Sequence, residues 1–136
     1  MRFSDILTFM DEQAVKLGLP IYFGDTDTVN VLVNGISGMF LTFDVPDGGV
    51  AKLPPATRKY NVTLQCLDKS YYMENNLAEL DTLVRTDLAL SKLMSTFVCH
   101  FDVDGLNFKK VQNIYDSKKS GWQVTFSVTD DLLNYG

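Results

Sequence analysis

The chain has 136 residues, 46% of them apolar and 21% charged, and carries a net charge of −5 at neutral pH. This is globular composition, sufficient for one domain with its own core, and it excludes a disordered chain. The acidic balance argues against a dedicated nucleic-acid binder, which carries a basic excess or stripe. Arg58-Lys59, Lys109-Lys110 and Lys118-Lys119 are only short basic clusters, read as a solvated or subunit-pairing face.

Ser4 and Asp5 supply a helix cap and an acidic first turn, with Phe3 at the staple position. Ile6, Leu7, Met10, Ala14 and Leu17 follow at helical spacing, and Gly18 and Pro20 end the run. The first helix is therefore predicted over about 4–17. The segment MRFSDILTFMDEQ has acidic residues where a signal peptide has an unbroken apolar core, and no run approaches the ~18 apolar residues of a membrane span. A soluble protein made in the cytoplasm is expected.

In VNVLVNGISGMFLTF, Val29, Val31 and Val33 alternate, as do Met39, Leu41 and Phe43. With Asn34-Gly35 between them, the pattern predicts a hairpin, Gly38 absorbing a bulge. Residues 45–57, VPDGGVAKLPPAT, hold three of the four prolines and two adjacent glycines, a composition that reads as an exposed loop. Tyr60, Val62, Leu64 and Cys66 then share one face of a half-buried strand.

A long helix is predicted over about 72–101, free of Pro and Gly and roughly 40 Å long. Leu77, Leu80, Val84, Leu88, Phe97 and Phe101 are read as its core-facing stripe, widened by Leu83, Leu90, Leu93, Met94 and Val98. Gly105 and the loop FDVDGLNF are read as ending this helix. A strand over 108–115, a turn at DSKKSG, and a last strand with Trp122, Val124, Phe126 and Val128 on one face complete the chain. The fold class predicted is α+β: a mainly antiparallel sheet of about four to five strands against the long helix and the N-terminal helix. The polar faces of its strands suit a wet surface, a subunit contact or a ring lumen.

The candidate chemical sites are sparse. Asp102-x-Asp104-Gly105 lacks the Glu that completes a calcium loop and reads as a helix-ending turn. Asp25 and Asp27 read as Asx-turn residues. Cys99 and His100 are adjacent on a helix and point about 100° apart, which is unsuited to a nucleophile–base pair. Cys66 and Cys99 fit no zinc or redox spacing and are expected to be buried free thiols. Asn61-Val62-Thr63 matches the glycosylation triplet but lies in a strand. No phosphate-binding glycine loop is present in the sequence. The expectation is a non-enzyme without metal or cofactor.

The element order and three segments, YNVTLQCLDKSYYMENNLAELDTLV, FKKVQNIYDSKKSGWQVTFSV and VNVLVNGISGMFLTF, resemble the small tail-terminator and tail-completion proteins of tailed bacteriophages and prophages. The resemblance implies a virion protein that forms a ring, commonly a hexamer, at the head–tail junction. It would contact other tail or neck proteins and meet nucleic acid only as it passes through the lumen. Interface candidates under this resemblance are Asn34 and Gly35 at the hairpin tip, Asp47 and Lys52 in the long loop, Arg58, the pair Tyr71 and Tyr72, and Lys118 and Lys119 in the last turn. Rival readings are another virion part (connector, neck or baseplate), a small host-directed binding protein, and a small enzyme of unfamiliar type.

Overall fold

The computed structural model describes residues 3–45, 50–53 and 56–132. The elements run α1 (Phe3–Leu17), β1 (Ile21–Phe23), α2 (Thr26–Leu32), β2 (Phe40–Asp44), β3 (Val50–Lys52), β4 (Thr57–Lys69), α3 (Asn76–His100), β5 (Val103–Ile114) and β6 (Lys119–Asp131). The strands form one sheet in the order β1-β2-β4-β6-β5, with β3 also paired to β4. Among the described residues β1 and β2 run parallel, and the other pairings are antiparallel. The α+β class is as the sequence predicts, with a helix packed on a sheet.

Alternation along the strands divides the sheet into two unlike faces. Leu41, Phe43, Val62, Leu64, Cys66, Val124, Phe126 and Val128 meet Ile6, Met10 and Ala14 of α1 and Leu90, Leu93, Met94 and Phe97 of α3 in the main core. On the other face a smaller cluster joins Val29 and Val33 of the α2 region to Phe40 and Leu67 at one end of the sheet. The rest of that face is polar. Thr42 donates to Gln65 (2.9 Å), Gln65 donates to Gln123 (3.0 Å), and Ser127 donates to Asn61 (2.9 Å).

The predicted hairpin at 29–43 is not formed. Its first arm is helix α2, capped by Asp25, whose carboxylate accepts from the Thr28 backbone N–H at 2.8 Å. Val29 and Val33 stand four apart as well as alternating with Val31. Burial of that pair in the second cluster, with Val31 left exposed, selects the helical period over the strand period. Asn34 and Gly35 shape the exit from α2 instead of a hairpin turn, and Gly35 takes a φ of 83°. The connection β1–α2–β2 therefore crosses over between parallel strands.

Two further expectations are corrected. The segment expected to loop after the long helix is already strand from Val103; Gly105, at φ 69°, sits where the β5–β6 register slips between Asp104 and Asn107. Within the predicted 45–57 loop, residues 50–52 pair with 57–59 as β3. Asp47 lies outside the described residues.

The largest correction concerns which side of α3 faces the sheet. The buried positions are Glu79, Thr82, Leu83, Thr86, Leu90, Leu93, Met94 and Phe97. Leu77, Leu80, Val84 and Leu88, expected in the core, are 80%, 57%, 65% and 56% exposed. At 100° per residue the two sets lie on different sides of the helix, so α3 has two apolar sides and only one is covered within the subunit.

Candidate functional site

The outward stripe arises because polar bonds hold the first half of α3 to the sheet. Asn75 caps the helix, accepting from the Ala78 N–H at 3.1 Å. The buried Glu79 carboxylate accepts from the Tyr71 N–H at 2.8 Å and from the Gln112 side-chain amide at 2.9 Å. Thr82 donates to the Lys69 carbonyl, and Thr86 donates to the Thr82 carbonyl. The Trp122 indole N–H donates to the Leu83 carbonyl at 2.9 Å. Arg85 reaches Asp68 at 2.7 Å and Asp81 at 2.9 Å, and these bonds raise its pKa further. Polar side chains occupy the sheet-facing positions here, so the leucines and valine of this half project to the outside.

Beside the stripe, Tyr72, Met73, Leu80, Lys110 and Gln112 line an open groove of about 430 Å³ between the start of α3 and the edge strand β5. On β5, Leu106 and Phe108 are exposed as well. The exposed apolar side chains of α3 and β5 make this part of the molecule a candidate contact surface.

The polar face holds a second, much smaller recess of about 50 Å³ lined by Asp25, Thr42, Asp44, Thr63, Gln65, Tyr115 and Gln123. That is room for a few water molecules. Its side chains are bonded to one another, Tyr115 and Thr42 both donating to the Gln65 carbonyl oxygen. Burial raises the Asp44 pKa, with the Asp25 charge adding to it, whereas the Thr28 backbone N–H lowers that of Asp25. Asp25 is committed to capping α2. Thr42, Gln65, Gln123 and Tyr115 thus form a structural hydrogen-bonded network joining β2, β4, β6 and the turn after β5.

The interface candidates scatter. Tyr72 lines the α3–β5 groove, and Tyr71 is half-buried under Lys69, whose ammonium lies 5.0 Å from the ring. Arg58 stacks over Tyr60 at 4.5 Å. Lys52 ends β3 with its backbone paired to Thr57. Lys118 takes a positive φ of 54° in the β5–β6 turn. Lys119 is not a surface residue: it is buried, donates to the Ile36 carbonyl at 2.7 Å, and burial lowers its pKa. The residues that carry the candidate surface, Leu77, Leu80, Val84 and Leu88, had been assigned by sequence to the core. The signal that finds them is the placement of Thr82 and Thr86 on the side opposite those leucines.

The two cysteines differ. Cys99 is exposed, contrary to expectation, because it falls on the outer side of α3 and its Sγ bonds to the Ser95 carbonyl at 3.3 Å. Its neighbour His100 is also exposed, with Nδ1 2.9 Å from the Thr96 carbonyl. Cys66 is buried, and burial pushes its thiol up to about 12. The folded state therefore holds this proton more tightly than the unfolded chain does. The associated stability is complete below pH 9 and is lost as pH rises toward 12. Between pH 8 and pH 10.5 the wild type is expected to lose about 2 kcal/mol through this group. Urea denaturation of wild type and Cys66→Ala at both pH values checks it: the variant should show a correspondingly smaller alkaline loss.

Among the described residues, no group of three or more His, Cys, Asp or Glu side chains is arranged to hold a metal ion, and no helix is long and apolar enough to cross a membrane. The chain matches no family model, no curated protein and no solved structure.

Proposed function

We propose that this chain is a structural subunit of a tailed-phage virion, a ring-forming tail terminator or tail-completion protein at the head–tail junction. The observation that carries an assembly role is the uncovered apolar stripe of α3, continued by the exposed apolar residues of β5. Two of the three segments quoted for the resemblance fold as strand, helix and hairpin, as the sequence reading expects: the β4–α3 passage and the β5–β6 hairpin. The third, at 29–43, folds as helix α2 and strand β2, and does not support the resemblance.

The polar face of β4 and β6 fits the same role. Asn61, Thr63, Gln65, Gln123, Thr125 and Ser127 are uncharged and share that face through paired registers. A lumen walled by such residues would let DNA pass without retaining phosphate as a basic wall does. The sheet ends in the 12-residue edge strand β5 and the 3-residue edge strand β1, and in this reading both edges contact neighbouring subunits.

The test is disruption of the gene in the genome that carries it, followed by electron microscopy of the particles produced. The reading predicts unjoined heads and tails of irregular length, restored by the gene supplied in trans. Normal joined particles would overturn it and favour a host-directed binding protein.

A further inference from the structure

We propose that the outward stripe of α3 binds a second copy of itself, the two α3 helices running antiparallel about a two-fold axis near Leu88. The stripe continues past its apolar half. At 100° per residue, Ser91, Ser95 and Val98 fall in line with Leu77, Leu80, Val84 and Leu88, and all seven side chains are exposed. Large residues thus occupy its first half, and serines most of its second. A parallel pair would set Leu against Leu and Ser against Ser. An antiparallel pair centred near Leu88 sets Leu80 against the partner's Ser95, Val84 against the partner's Ser91, and Leu77 against the partner's Val98. Leu80 and Val84 then each meet the gap left by a serine, as close packing requires, and Leu77 meets Val98 at the two ends of the contact.

Charge supports the same register. Asp81 and Lys92 lie on one flank of the stripe, and in antiparallel helices like flanks face one another. Asp81 of each copy, already bonded to Arg85 of its own helix at 2.9 Å, therefore comes opposite the partner's Lys92, twice by symmetry. The antiparallel arrangement also sets opposite ends of the two helix dipoles together. On the other flank Asp87, 3.5 Å from the Ser91 hydroxyl, comes near its own symmetry mate. That repulsion weakens the pair and marks the axis.

The size of the face sets the strength. The 25 residues of α3 span roughly 37 Å, and a single helix face of that length buries about half of the ~800 Å² per partner found in stable complexes. The pair is thus a weak, concentration-dependent dimer. A two-fold contact is closed on itself and does not build a ring, so ring contacts under the proposed function fall to the sheet edges at β1 and β5, which the pair leaves open.

The experiment is light scattering of the full chain across a concentration series. The wild type should move from 15.3 kDa toward twice that mass. Val84→Glu, at an exposed position whose change leaves the fold intact by circular dichroism, should stay monomeric. Asp81→Lys and Lys92→Asp should each weaken the dimer about fivefold, and the two together should restore it. Asp87→Asn should strengthen it. A wild type monomeric throughout, an association untouched by Val84→Glu, or a double reversal that fails to restore pairing would overturn the proposal. The gene-disruption result is independent of all three.

Discussion

Gly121→Ala is expected to destabilise this protein by about 3 kcal/mol or more, a large part of the whole stability of a domain this size. Gly121 lies in β6, paired on one side with Leu67 of β4 and on the other with Val111 of β5. A Cβ at this position would meet the Cys66 carbonyl oxygen at 2.1 Å and the Leu67 Cα at 3.0 Å. Both obstacles are backbone of the central strand, so no rotamer change relieves them. The substitution forces β4 and β6 apart where their ladder is continuous from Thr57 to Lys69. Urea denaturation measures the loss, and a midpoint near wild type would show that the strands separate more cheaply than this contact implies. The Gly-Trp start of the last strand thus has a physical reason: the glycine admits the neighbouring strand, and the tryptophan beside it reaches across to the Leu83 carbonyl of α3.

Phe97→Ala is expected to cost about 3–5 kcal/mol. Phe97 is fully buried and is the centre of an aromatic group. Its ring lies 5.6 Å from Phe9 of α1, 5.2 Å from Phe126 of β6 and 4.6 Å from Phe101. These contacts tie both long helices to the middle of the sheet. Truncation opens a cavity between three elements that cannot all collapse into it. A thermal or urea midpoint shifted by less than about 1 kcal/mol would place the main core elsewhere.

The regular elements were legible in the sequence where one period was unopposed. The first helix is read to within a residue because spacing and terminator agree; Ser4, expected as its cap, and Phe3, expected to precede the cap, already lie inside it. The strand carrying Tyr60, Val62, Leu64 and Cys66 and the strand carrying Trp122 to Val128 show unbroken alternation, and both lie against the main core. The class followed from these.

Where two periods fit the same letters, the sequence misled. Val29 and Val33 satisfy alternation and helical spacing equally, and only the cluster with Phe40 and Leu67 decides between them. Asp25, placed as a turn residue, was the helix cap that signalled α2. Cys99 was misplaced by the same error that misplaced the stripe. On α3 the densest apolar run was taken as the buried one. The buried side of its first half instead consists of Glu79, Thr82 and Thr86 beside Leu83, tolerated there because each polar group is bonded. Apolar count alone cannot reveal that a helix is fixed to its sheet by hydrogen bonds and presents its leucines outward. The candidate surface was therefore visible in the letters but assigned to the wrong side.

Both functional proposals stand on that outward side. The most direct test is urea denaturation of Leu80→Gln/Val84→Gln at protein concentrations low enough to keep the chain monomeric. An uncovered stripe predicts a stability within about 0.5 kcal/mol of wild type, since neither side chain is packed in the subunit. A loss of several kcal/mol, of the size that follows truncation in a core, would mean that these residues are buried in the monomer, and would contradict the surface on which the assembly role rests.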